Sequence, residues 1–219
     1  MRYVFPRNPE IDNWLNEQGL PRLCAYPHRP TNSGFCILDS GAFGLSLKNE
    51  KMDMDYMENL SGHYEEYGSD NRICVAPDEF LNPRQSMINL VRWQAAGLYR
   101  DVAAVIQSST NRRIDIDELK QQVDFYASRG ITTMLFSNNG LRGEDAKAQR
   151  LHKLFAYMEG KSKYVHVLGA GWSIDDIKAW QKVGGFDSMD SIAPYTCPAD
   201  YGAQTAKEAV ERIIACFIT

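Results

Sequence analysis

Residues 102–136 read VAAVIQSSTNRRIDIDELKQQVDFYASRGITTMLF. The stretch opens on a run of aliphatic residues, Val102 to Ile106, too short for a helix and apolar on both faces, as a buried parallel strand requires. A helix follows. Ile116, Leu119, Val123 and Ala127 recur at helical spacing on one face, Asp115 caps the start with Glu118 three residues on, and Gly130 ends it. A second buried strand, Thr132 to Phe136, comes next. Strand, helix and strand follow in this order, and the same alternation runs through the rest of the chain.

Short β-branched or aromatic runs recur at Arg2 to Phe5, Leu23 to Tyr26, Phe35 to Leu38, Ile73 to Ala76, Tyr164 to Leu168 and Ser188 to Ile192. With the two above, they make eight predicted strands. Leu151, Leu154, Phe155 and Met158 mark another helix, which stops at Gly160. A Ser173 cap with Asp176 behind it starts one that runs through Ile177 and Trp180 to Gly184. Alternation of this kind implies a parallel sheet, and eight strands imply closure into a compact (β/α)8 TIM barrel forming a single domain over residues 1–219. A doubly wound open sheet is the alternative. Internal repeats, low-complexity tracts and linkers are not seen.

Composition narrows the field of functions. Of 219 residues, 44% are hydrophobic and 24% charged, which excludes wholesale disorder and collagen-like repeats. The net charge of −4 announces neither nucleic acid nor an anionic membrane, so such a partner must meet a local basic patch. The apolar runs are far shorter than the roughly 20 residues of a spanning helix, and Pro6, Arg7 and Asn8 interrupt the N-terminus before a signal peptide can form. A cytoplasmic location without membrane contact is the expectation. Cys24, Cys36, Cys74, Cys197 and Cys216 are widely spaced, which suits free thiols in a reducing compartment and offers no paired zinc ligands. No metal or cofactor is expected.

In a barrel of this kind chemistry sits where the strands end. The third run ends in Asp39-Ser40-Gly41-Ala42-Phe43, the fourth leads to Pro77-Asp78-Glu79, and the fifth to Gln107-Ser108. The sixth leads into Ser137-Asn138-Asn139-Gly140-Leu141, the seventh into Leu168-Gly169-Ala170-Gly171, and the eighth carries Ser188-Met189-Asp190. Three strands thus deliver carboxylates to one rim, where they resist ionising together and so suit a nucleophile, a base or a proton donor. Any one of Asp39, Asp78 and Asp190 could instead be the cap of the next helix. Gly169 and Gly171 alone are a weak phosphate-loop signal, since the rest of a dinucleotide fingerprint is missing. Phe43 reads as core or as a stacking platform. Gln107 closes an aliphatic strand, and its amide needs partners that a ligand edge could supply.

Taken in order, these segments resemble the tRNA-guanine transglycosylases and their DNA-guanine transglycosylase relatives, from about Phe35 to Thr196. Asp39 to Phe43 is similar to the family's D-S-G-G-[FY], Asp78-Glu79 to its D-E-C, and Gln107 to its strand-terminal glutamine. Asn139-Gly140-Leu141 is similar to G-G-L, Leu168 to Gly171 to M-G-V-G, and Phe186 to Asp190 to V-D-M-F-D. The resemblance implies exchange of guanine for a 7-deazaguanine base through a covalent glycosyl-enzyme. It assigns Asp190 as the nucleophile and Asp39 as the general acid/base. Asp78 would read the guanine N–H pair, and Gln107 with the backbone N–H of Gly140 would take its O6 edge. Phe43 would stack on the purine, Leu168 and Gly169 would form the opposite wall, and Leu141 would face the 7-substituent through its backbone.

Departures point to a different nucleic acid. Phe80 stands at the family's cysteine, Ala42 at a glycine and Gly44 at a glutamine. Pro194-Tyr195-Thr196 replaces the arginine-bearing segment that grips tRNA, and the zinc subdomain that follows it in the tRNA enzymes is not found here. DNA is therefore the favoured partner, with tRNA the alternative. Arg112, Arg113 and Arg142 lie on loops beside the rim and are the expected phosphate contacts, whereas Lys147, Arg150 and Lys153 read as a solvated helix face. A base inside a duplex is out of reach, so an extruded or single-stranded nucleotide is required, opened if necessary by a helper protein. Other expectations are a different purine or sugar hydrolase on the same barrel, or a non-catalytic nucleic-acid-binding subunit.

Overall fold

A computed structural model describes residues 1–31, 34–109, 114–138 and 140–218. Eight parallel strands close into a barrel in sequential order. They are β1 (Arg2–Pro6), β2 (Arg22–Ala25), β3 (Cys36–Asp39), β4 (Arg72–Val75), β5 (Val102–Ile106), β6 (Thr133–Ser137), β7 (Tyr164–Leu168) and β8 (Ser188–Asp190). Each expected strand is present, and β1 pairs with β8 to shut the ring, with Val4 opposite Asp190. The open doubly wound alternative is thereby excluded.

The helices among the described residues are α1 (Asp12–Glu17), α2 (Ala42–Lys48), α3 (Met54–Tyr67), α4 (Pro83–Ala95), α5 (Ile116–Ser128), α6 (Gly143–Ala148), α7 (His152–Glu159), α8 (Ile174–Val183), α9 (Ala193–Thr196) and α10 (Ala206–Ile218). Caps form where the side chains predict them. Asp115 accepts from the backbone N–H groups of Asp117 and Glu118, and Ser173 accepts from Asp176. The alternation is less regular than expected, because no helix lies between β2 and β3 among the described residues. Pro27 and Pro30 fall in that short connection and disfavour one. Two helices each follow β3 and β6.

Strand parity divides the apolar residues into two cores. Val4, Ile37, Val75, Ala103, Val105 and Leu135 pack with one another inside the barrel. Their strand neighbours, such as Phe5, Leu38, Ile106, Phe136 and Val167, join a larger core with the helices, which includes the fully buried Trp93 and Trp180. Each such side chain contributes about 1.5–3 kcal/mol through burial. The plug closes the barrel centre, and polar residues at the same inward parity are left to occupy its C-terminal end.

Asp176 ties that end together. Its Oδ1 accepts from the Gly143 N–H at 2.7 Å, and its Oδ2 accepts from the N–H groups of Gly171 and Trp172 at 3.2 and 2.9 Å. One buried carboxylate thus fixes the loops after β6 and β7 to the start of α8. Gly143 is required by the close approach of α6 to α8: a Cβ there would stand 2.6 Å from the Ala179 Cβ. Asp176→Ala should orphan two buried donors and a partly buried third and lower the unfolding free energy by roughly 3 kcal/mol. A urea midpoint that falls with unchanged slope is the expected result, and a midpoint equal to the parent's would show that the loops are held otherwise.

Candidate active site

Asp39 ends β3, Asp78 follows β4 and Asp190 ends β8, so barrel closure brings residues remote in sequence to one rim. Asp190 is 7% exposed. Its Oδ1 accepts from the Gly169 N–H at 2.9 Å and faces His166 Nε2 at 3.1 Å. Among the described residues no hydrogen bond reaches Oδ2. Gly169 can aim its N–H this way because its φ is +71°, a conformation that strains residues bearing a Cβ.

Asp39 is half-buried and accepts from the Gly41 N–H at 3.2 Å. Burial pushes its carboxyl up to about 6; the Gly41 and Ser40 N–H groups oppose this, while the charge of Asp190 adds to it. Asp78 is pushed up to about 7, first by burial and then by Asp39, against a hydrogen bond from the Ser40 hydroxyl. Tyr56 buttresses this corner by donating to the Ser40 carbonyl at 2.8 Å. The physical cause is shared: negative charges in a poorly solvated site favour protonation of one another. Asp78 also borders a cleft of about 350 Å³ lined by Ala42, Leu45, Met52, Glu79 and Phe80 among others. Neither Asp39 nor Asp190 lines it, so the three acids share a rim and a field rather than one enclosed cavity.

Phe43 is 56% exposed in the first turn of α2, and its ring meets that of Phe80 edge-on at 5.2 Å. Its reading as core is thereby corrected. Leu168, half-buried, packs against the barrel plug beside Gly169. Arg142 is exposed at the start of α6 with its guanidinium over the Trp172 ring at 4.9 Å. Arg112, Arg113 and Asn139 lie outside the described residues.

Three residues expected to contact a ligand hydrogen-bond within the protein. Gln107 is 1% exposed, and its amide hydrogens are taken by the Glu79 carbonyl at 2.8 Å and the Ser86 hydroxyl at 3.1 Å. Its Oε1 accepts from the Leu81 N–H, so this side chain clamps the loop after β4 and offers no donor to a heterocycle. The Gly140 N–H donates to Asn138 Oδ1 at 3.0 Å. Leu141 is fully buried; its N–H donates to the Asn138 carbonyl and its carbonyl accepts from Asn138 Nδ2. Asn138, 4% exposed, also donates to the Gly169 carbonyl at 2.7 Å and so joins the loops after β6 and β7.

His166 is the residue that sequence reasoning missed. It lies within the apolar run Tyr164 to Leu168, and at inward parity with Leu168 it sits next to Asp190.

No family model matches the chain. Over 150 residues, covering 68% of the chain, it is 22% identical to glutamate--tRNA ligase 2 of Maricaulis maris, and it spans 27% of the length of that relative. Among solved structures, the aldolase QR15 is similar over 98% of this chain and 96% of that one, with a TM-score of 0.54 and 11% identity. A phospho-2-dehydro-3-deoxyheptonate aldolase (DAHP synthase) of Thermotoga maritima covers 99% of this chain and 68% of its own, at 11% identity and a TM-score of 0.48. The QR15 likeness shows the (β/α)8 barrel and leaves the chemistry to the site.

The raised carboxyls carry a stability cost with a definite sign. A folded-state value above the unfolded 3.8 means that the native protein holds the proton more tightly, so this contribution to stability is present in acid and is lost as pH rises. Asp78→Asn keeps an acceptor for Ser40 and removes the charge. Its melting temperature should match the parent's near pH 4 and exceed it increasingly up to about pH 7. A constant or reversed difference in thermal scans across that range would contradict the assignment.

Proposed function

We propose that the chain is a glycosyltransferase that exchanges guanine in DNA for a 7-deazaguanine base through an aspartyl-glycosyl intermediate. The observation that carries this reading is Asp190, held through one oxygen by Gly169 and His166 while the other is unbonded among the described residues. Asp190 Oδ2 attacks the sugar C1′, the C1′–N9 bond breaks, and its electron pair leaves with guanine. Asp39 donates the proton that guanine acquires. The entering base then loses its N9 proton to Asp39 and attacks C1′, and the C1′–Oδ2 bond breaks. A carboxyl poised near neutrality suits both directions of this proton transfer.

Asp78 presents two oxygens to the adjacent N1–H and exocyclic amine of guanine, and Phe43 offers an exposed ring for stacking. Arg142, already stacked on Trp172, supplies positive charge to the rim. Gln107, Gly140 and Leu141 would have to exchange their hydrogen bonds within the protein to reach the O6 edge and the 7-substituent. The DNA preference rests on the missing match to the arginine-bearing tRNA segment.

Asp190→Asn should abolish exchange of labelled guanine into nucleic acid, by at least about 10³-fold, with the circular dichroism spectrum unchanged. Nucleosides from DNA and tRNA of cells with and without the chain, read by mass spectrometry, identify the acceptor. A 7-deazaguanine in DNA is the expected result. Its appearance in tRNA alone would move the activity to RNA, and full exchange by Asp190→Asn would remove the nucleophile.

A further inference from the structure

Three polar side chains run through the barrel behind the nucleophile. Tyr164 Oη lies 2.6 Å from Ser188 Oγ, Ser188 Oγ lies 2.6 Å from His166 Nδ1, and His166 Nε2 lies 3.1 Å from Asp190 Oδ1. His166 and Ser188 are fully buried. A polar chain next to an apolar plug is costly unless every member is satisfied, and here the atoms meet in sequence.

The chemistry of the ends sets its direction. A carboxylate oxygen only accepts, so His166 Nε2 bears the proton shared with Asp190. For a ring carrying this one proton, Nδ1 is an acceptor, Ser188 donates to it, and the Tyr164 hydroxyl donates to Ser188. All three hydrogens point toward Asp190. The Gly169 N–H converges on the same Oδ1, so both fixed donors meet one oxygen and the carboxylate plane is set with Oδ2 as its outer edge.

We infer that His166, oriented by Ser188 and Tyr164, is a positioning residue for Asp190 that fixes the rotamer from which Oδ2 meets the sugar carbon. The inference rests on the base-exchange reading for its kinetic consequence and stands on the hydrogen-bond chain for its geometry. It also makes the far end of the barrel matter to the rim. Tyr164 opens β7, two residues before His166 and roughly 6.6 Å below it, with its ring against Phe35.

Two measurements on the full chain test this. In guanine exchange, His166→Ala should lower kcat about 100-fold with KM unchanged, and His166→Gln, whose amide N–H can replace Nε2–H, should recover about tenfold of that. Tyr164→Phe and Ser188→Ala hydrogen-bond neither Asp190 nor substrate; each should lower kcat roughly three- to tenfold at constant KM, and they carry the test if His166→Ala fails to fold. Separately, ¹⁵N-histidine NMR should show His166 protonated at Nε2 and its ring signals displaced in Ser188→Ala. A proton on Nδ1 alone, or unchanged kcat in both relay variants, would overturn the inference. If the parent chain exchanges no guanine, the base-exchange reading falls and the NMR result alone decides the relay.

Discussion

Pairing of β1 with β8 is the contact that turns a row of parallel strands into a site. In the strand order Asp39 stands on the third strand and Asp190 on the eighth; with Val4 opposite Asp190 and the ring closed, both lie at the same C-terminal opening. The apolar plug beneath them excludes water from the barrel centre. Charged groups at the rim therefore feel one another through a poorly polarisable medium, which strengthens every interaction between them.

That environment treats the carboxylates differently. Asp39 and Asp78 are pushed toward the protonated form first by burial and then by a neighbouring charge, that of Asp190 on Asp39 and that of Asp39 on Asp78, with partial relief from Gly41 and Ser40. Asp190 instead meets the Gly169 N–H and His166 on one oxygen. On the proposed base-exchange reading, Asp190 is the acid that attacks and its neighbours hold or read protons. The difference in surroundings follows from strand position: β8 lies beside β7, which carries His166 and leads into Gly169, whereas Asp78 after β4 meets the Ser40 hydroxyl just past β3.

Much of the fold was legible because strands buried on both faces are short and apolar, and because Asp115, Gly130 and Ser173 punctuate the helices. The last strand shows the limit. Its apolar pattern runs to Ile192, yet pairing stops at Asp190, and Ile192 is 62% exposed at the turn into α9. The acids at the rim were readable from strand ends. Their supports were not, since nothing in a sequence says that Asn138 has already taken the Gly140 N–H or that Gln107 spends its amide on Glu79 and Ser86. His166 left a faint mark: Tyr164, His166 and Leu168 alternate with Val165 and Val167, so a polar residue at the parity of Leu168 in β7 already pointed inward.

The central claim is that Asp190 is the group that bonds to the sugar. It is tested most directly by denaturing the chain during turnover with a guanine-containing single-stranded oligodeoxynucleotide and locating the adduct by peptide mass spectrometry. The account predicts an abasic-nucleotide adduct on the peptide bearing Asp190, absent when guanine is added in excess to reverse the first step. An adduct mapped to Asp39, Asp78 or a lysine would contradict it.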